Sequence, residues 1–183
     1  AKSQHSNTLS ALSASPREVF IPQFDDDGNQ TVVKTSTGVW SVEYNGENRP
    51  VLWTCGETNI VMSYDRIGRR VRCVEIVGSI TNRIDNFAYE GFRLISRRRI
   101  ASDGAVTIDR FVWDVTEPIA TRPLVFYGTG GNPQYYSHDG NKNVSELTSP
   151  GNTLCAHYEY APFGAVTAAS GDSGFAHGNP FRF

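Results

Sequence analysis

The sequence predicts an all-β protein made of consecutive antiparallel β-hairpins forming a curved repeat sheet, and three observations carry that expectation. Gly 17, Pro 9, aromatic residues at 11% and one Met are the composition of short strands joined by turns rather than of a helical bundle. No segment shows a 3.6-residue apolar stripe beyond a turn of helix near Ser10 to Ser15. An aromatic residue followed by a polar or acidic one, often leading into a Gly-containing turn, recurs roughly every 20–25 residues. That period holds two strands of about six to eight residues and two turns, one hairpin per repeat.

Residues 1–19 are Ser-rich and read as a polar arm or linker, placed to fold over a sheet edge. Hairpin repeats then occupy 20–134. The starts run Phe24-Asp25-Asp26-Asp27-Gly28-Asn29, Tyr44-Asn45-Gly46, Tyr64-Asp65-Arg66-Ile67-Gly68-Arg69, Tyr89-Glu90-Gly91, Trp113-Asp114, His138-Asp139-Gly140-Asn141 and Tyr158-Glu159-Tyr160-Ala161-Pro162-Phe163-Gly164. In the third, Asp65 is placed to accept hydrogen bonds from backbone N–H groups ahead of it. Gly68 is placed to take a positive φ where the chain swings back, which is a type I turn followed by a left-handed residue and a bulge. The flanks suit strands: Ile60 to Tyr64 before, and Arg69 to Val74 after, with Val71 and Cys73 on one face. Val39 to Tyr44 and Arg49 to Thr54 read the same way around their own turn. Phe111 to Trp113 and Leu124 to Tyr127 are further strands. Thr148 to Ala156 carries a turn at Pro150-Gly151-Asn152.

Charge and hydropathy exclude several classes. With 17 basic and 19 acidic residues the net charge is −2, which argues against a dedicated nucleic-acid partner. No run of 18 apolar residues exists, so no membrane-spanning helix is expected. Ala1 to Ser15 is polar and has no signal-peptide pattern, which fits a removed signal or an internal fragment. The three cysteines include no Cys-x-x-Cys pair. Cys55 and Cys73 would face each other if their segments paired as neighbouring strands, leaving Cys155 over; otherwise all three are small half-buried side chains.

Other constellations carry bland readings beside sharper ones. Gly171-Asp172-Ser173-Gly174 spells the surroundings of a serine nucleophile, but His5, His138 and His157 lack the matching context, and a flexible loop over Ala168 to Gly178 fits better. A calcium loop starting at Asp25 needs glycine sixth and glutamate twelfth, and finds Gln30 and Ser36. Arg97, Arg98 and Arg99, with Arg66, Arg69, Arg70, Arg72 and Arg93, form either a polyanion or glycan patch or cross-strand ion pairs with Glu75, Asp85 and Glu90. Trp40, Trp53 and Trp113 are either sugar-stacking platforms or core partners. No metal-ligand cluster, phosphate loop or activated nucleophile emerges, so no cofactor and no enzyme activity is expected.

Tyr64-Asp65-Arg66-Ile67-Gly68-Arg69 resembles the signature of the YD-repeat, or Rhs-repeat, family, and Phe24-Asp25 to Gly28-Asn29 and Tyr44-Asn45 are similar to degenerate copies of it. Tyr135 to Thr148, His157 to Gly164 and Asn179-Pro180-Phe181-Arg182-Phe183 resemble the opening half of the Rhs-associated core domain, which would occupy 135–183. The resemblance covers about residues 20 to 183. It implies a strip of hairpins belonging to a β-spiral shell that encloses or presents a C-terminal toxin polypeptide. It also implies further Rhs repeats and that toxin segment as partners, and a secreted or bacterial cell-surface location. In some relatives such repeats are associated with carbohydrate, which makes a surface adhesion module the alternative. The self-cleaving aspartates of the family lie beyond the matching stretch, so no catalytic residue is carried over. A strip of hairpins has exposed edges, and the chain is expected either to curl or to self-associate through them.

Overall fold

The computed structural model describes residues 20–117, 119–128, 130–162, 164–171 and 179–181. The arm at 1–19, the helical turn near Ser10, Phe163 and Asp172-Ser173-Gly174 lie outside these. The described chain is all strand and turn. The strands are β1 (Gln23–Phe24), β2 (Gln30–Thr35), β3 (Gly38–Tyr44), β4 (Pro50–Cys55), β5 (Thr58–Tyr64), β6 (Arg70–Val77) and β7 (Ile80–Glu90). They continue as β8 (Arg93–Ala101), β9 (Val106–Trp113), β10 (Pro123–Tyr127), β11 (Pro133–His138), β12 (Val144–Thr148), β13 (Leu154–Tyr160) and β14 (Val166–Gly171). They form one antiparallel sheet in strict sequence order. Among the described residues no helix is long and apolar enough to cross a membrane.

Local turn chemistry explains this order. Seven connections share one pair of backbone hydrogen bonds, opening at Asp25, Asn45, Asp65, Ala101, Asp139, Ser149 and Ala161: the first residue's N–H donates to the carbonyl four residues on, and its own carbonyl accepts from the N–H three residues on. The fourth residue is left-handed in each, with φ between 58 and 87°. This is the type I turn plus bulge expected for Tyr64 to Arg69. Pairing shifts register at Gln23/Phe24, Glu43/Tyr44, Ser63/Tyr64, Ala88/Tyr89, Ser137/His138 and Glu159/Tyr160, so the bulge falls repeatedly at the aromatic residue entering the corner. These aromatic corners, with Trp113-Asp114, all lie at one end of the strands. Tight two-residue turns such as Cys55–Thr58 and Val77–Ile80 lie at the other.

The two faces differ. Cross-strand register gathers Trp40, Val42, Trp53, Met62, Phe87, Phe111, Phe126, Tyr136, Leu147 and Tyr158 on one face, here called the packed face. Its core is Phe111, Trp113, Phe126, Tyr136, Val144, Leu147, Ala156 and Tyr158. The opposite, open face keeps Val39, Val61, Val112 and Tyr135 exposed.

The strand order resolves the cysteine alternatives in favour of three half-buried free thiols and changes one expectation, the loop after Ala168. Cys55 on β4 and Cys73 on β6 are separated by β5 and do not face each other; all three cysteines are free thiols. The loop expected over Ala168 to Gly178 is strand up to Gly171, because its residues complete the ladder with Ala156 to Glu159. Long strands cover 80–90 and 93–101, within the stretch where hairpin repeats were expected.

Candidate functional site: corner rim and aromatic cradle

Four corners are each built around one acceptor side chain, Asp25, Asn45, Asp65 or Asp139. Asp65 Oδ1 accepts from the N–H groups of Ile67 and Arg69, both at 3.0 Å. Asp25 does the same for Asp27 and Asn29, Asn45 for Glu47 and Arg49, and Asp139 for Asn141 and Asn143. The second oxygen of Asp25, Asp65 and Asp139 holds the side chain of the residue four on: Asn29, Arg69 or Asn143. Gly28, Gly68 and Gly164 take the left-handed position, as the turn chemistry requires. At 138–143 the left-handed position is held by Lys142, with φ 69°. In the last repeat the corner opens at Tyr160-Ala161, two residues after Tyr158-Glu159, and Pro162 takes the second turn position, where its fixed φ suits a type I turn.

The tyrosine of each motif ties its hairpin to the one before. The Tyr44 hydroxyl donates to the Gln30 carbonyl at 3.0 Å, Tyr64 to Pro50 at 2.8 Å, Tyr89 to Arg70 at 2.9 Å and Tyr160 to Val144 at 2.7 Å. For Tyr44, Tyr64 and Tyr89 the acceptor is the residue five after the preceding corner's aspartate or asparagine; for Tyr160 it is five after Asp139. Trp113 takes the same place with its indole, donating to the Leu94 carbonyl at 2.7 Å. Side chains extend the link along the rim. Arg49 lies over the Tyr64 ring at 5.8 Å and Arg69 over the Tyr89 ring at 5.3 Å. Asn29 donates to Asn48, Arg69 to the Gly91 carbonyl and Arg93 to the Glu117 carbonyl, while Lys142 binds Glu117. Phe24 is exposed and has no earlier corner among the described residues to bind. His138 stands where a tyrosine would, and its Nε2 is buried without a hydrogen-bond partner. Removing one tether tests the scheme: Tyr64→Phe lowers stability by about 1 kcal/mol in urea unfolding, because the Pro50 carbonyl loses its donor.

The corner aspartates also set the acid response. The Asn29 side chain holds the Asp25 carboxyl below its usual value, the Thr116 hydroxyl does so for Asp114, and the Asn143 amide for Asp139. For Asp65, desolvation pushes upward but the N–H and guanidinium of Arg69 outweigh it. Carboxyls depressed by folding stabilise above their unfolded pKa and lose that contribution as pH falls through the folded value. Burial, followed by the Arg122 charge, lowers the pKa of His138, so the unfolded chain takes up a proton there that the folded chain resists. Urea midpoints therefore fall in two windows, the first below the ordinary histidine pKa of about 6.5 and the second below about 4. His138→Phe removes the first.

The second component is a cradle on the packed face. Phe111 and Phe126 stack at 5.5 Å between centroids, and Phe181 stands edge-on to Phe111 and Trp113, at 4.9 Å from each. The Tyr136 hydroxyl donates to Asn179 Oδ1 at 2.9 Å, and Asn179, 2% exposed, turns its Nδ2 to the Phe181 carbonyl. Burial pushes the Tyr136 phenol up. The chain's Asn179–Phe181 segment thus sits in an aromatic seat made by β9, β10 and β11. No local pattern in the sequence marks this seat.

The arginine and tryptophan candidates resolve by face. Arg97 and Arg99 lie on the packed face, where Arg97 Nε donates to Asp109 at 2.8 Å and Arg99 Nε to Asp85 at 2.7 Å; Arg83 bridges Glu75 and Asp85. Arg98 points to the other face, so the three form no single patch. Trp40 and Trp53 meet edge to face at 6.3 Å, with the Trp40 indole bonded to Thr35 and Thr37. Trp40 and Trp113 are each 8% exposed, so their rings pack against protein.

No protein-family model and no curated protein matches the sequence. Solved structures do share its fold. The crystal structure of TcdB2-TccC3-TEV matches 87% of this chain and 8% of its own, with a TM-score of 0.66 at 13% identity. A Tc holotoxin pore of Photorhabdus luminescens carrying a TccC3 substitution matches 87% of this chain and 8% of its own, with a TM-score of 0.67 at 14% identity. The crystal structure of TcdB2-TccC3-Cdc42 matches 81% of this chain and 8% of its own, with a TM-score of 0.61 at 13% identity. The chain therefore spans about 8% of the length of these proteins and shares with them the architecture of a sequential antiparallel hairpin strip.

Proposed function

We propose that the chain is a non-enzymatic structural segment of an Rhs/YD-type repeat wall, whose packed face holds and presents a polypeptide of the parent protein. The observation that carries this reading is the seating of Asn179–Phe181 in the aromatic cradle: the wall already grips a stretch of chain that has left the sheet. The rim of tethered corners supplies the stiffness such a wall needs. The fold likeness to Tc toxin structures supports the same reading. In it, the remaining partners are further repeats and a C-terminal toxin segment, and the parent protein is secreted.

The test is photocrosslinking in the intact parent protein, with a benzophenone amino acid placed at Phe87 on the packed face or at Val61 on the open face. Crosslinks from position 87 to a downstream polypeptide, and none to it from position 61, are expected. Crosslinks to that polypeptide from position 61 alone, or to none from either, would overturn the reading. So would turnover of a substrate that a single Asp or Ser substitution abolishes.

A further inference from the structure

The open face carries two parallel rows that corner tethering does not require. The first is aliphatic. Across consecutive strands β4 to β9, Leu52 faces Val61, Val61 faces Val74, Val74 faces Ile84, Ile84 faces Ile100 and Ile100 faces Val106. At about 4.8 Å per strand the row is roughly 24 Å long. Val61 is 38% and Val106 43% exposed. The second row lies two residues along the strands, about 7 Å away. In it Arg72 faces Asn86, Asn86 faces Arg98 and Arg98 faces Ile108, with Arg110 two residues beyond Ile108 on the same face of β9.

The pairing contrast between the faces is sharp. On the packed face Arg83, Arg97 and Arg99 each have a carboxylate partner. Among the described residues Arg72, Arg98 and Arg110 form no ion pair. A polyanion would use these arginines and leave the aliphatic row wet. A purely apolar partner would cover the row and bring no counter-charge. A segment with an apolar face and an acidic flank satisfies both.

The geometry points to docking of an acidic amphipathic helix from a partner protein, laid across β4 to β9 on the open face. At 1.5 Å per residue a helix of about 16 residues spans the aliphatic row. Arg72 and Arg98 are two strands apart, roughly 10 Å, so acids about seven residues apart on one flank would meet both. Sheets with apolar positions on both faces are covered by a second layer, and a helix is a common one. The chain's own undescribed segments do not supply the charge: residues 1–19 hold one acid, Glu18, and residues 172–178 hold one, Asp172.

The probe is a synthetic helical peptide of about 16 residues with a leucine face and glutamates spaced seven apart on one flank, titrated into the 183-residue chain by fluorescence anisotropy. Saturable binding is expected, weakened about tenfold by Arg72→Glu with Arg98→Glu, and recovered by the same peptide with lysine flanks. If the double reversal disturbs the β signal in circular dichroism, Arg72→Gln with Arg98→Gln replaces it, with weakening again expected. Equal binding of a scrambled peptide, no peptide binding, preference for a sulfated polysaccharide, or an open face covered by a second copy of the chain would each overturn the proposal. Packed-face crosslinks are untouched by such a failure, so the two readings fail separately.

Discussion

Trp113→Ala lowers the free energy of unfolding by about 3–5 kcal/mol, measured by urea denaturation. Three losses combine at this residue. The indole is 8% exposed within the core cluster, so its removal opens a cavity among Phe111, Phe126 and Val144. Its N–H is the donor to the Leu94 carbonyl, so the tie from the β9 corner to the preceding hairpin goes too. Its ring is one of the two against which Phe181 stands, so the Asn179–Phe181 segment loses half its aromatic seat. Trp113→Phe separates these contributions. It keeps an aromatic surface for Phe181 while removing the donor, so it costs clearly less than alanine.

Gly171→Ala detaches β14 from the sheet. Gly171 has φ 120°, a conformation that L side chains rarely adopt, and a Cβ there would lie 2.3 Å from the Cys155 carbonyl oxygen and 2.8 Å from Ala156 Cα. These are backbone atoms on a paired strand and cannot swing aside as a side-chain tip can. Strain and overlap together amount to about 2–4 kcal/mol. Among the described residues β14 pairs with β13 alone and its six residues are exposed, so it has little burial with which to resist. Hydrogen exchange is expected to show loss of protection over Val166 to Gly171, with β9 to β12 preserved. Gly68→Ala makes a useful contrast. Its φ is also positive, but the obstructing atoms belong to the flexible Arg49 guanidinium, so the effect is smaller.

The corners were legible in the sequence because their chemistry is local. An Asp or Asn that caps the N–H groups two and four residues ahead, and a Gly that turns left-handed, act within six residues. The structure follows that pattern at Asp65 and Gly68. Legibility failed where two residues compete for one part. At 138–143 glycine is available at 140, but the ladder between His138 and Val144 places Lys142 at the left-handed position. In the last repeat two aromatic–polar pairs overlap, and the bulge at Glu159/Tyr160 selects the second.

What depended on register across strands was not legible. Arg97, Arg98 and Arg99 look like one patch until the strand's alternation sends Arg98 to the opposite face from the other two. Cys55 and Cys73 look pairable until β5 is seen between them. The cradle joins Phe181 to Phe111 across some 70 residues of chain, and no short pattern encodes such a contact.

The central claim is that an aromatic donor holds a corner to the previous one, the hydroxyl at Tyr44, Tyr64, Tyr89 and Tyr160 and the indole at Trp113, so that stability passes from hairpin to neighbour along the strip. Residue-resolved hydrogen exchange on Tyr64→Phe tests it most directly. The account predicts faster exchange in the hairpins on either side of the lost Tyr64–Pro50 bond, from β3 to β6, with β9 to β13 unchanged. Equal loosening of all strands, or no change in any, would contradict it.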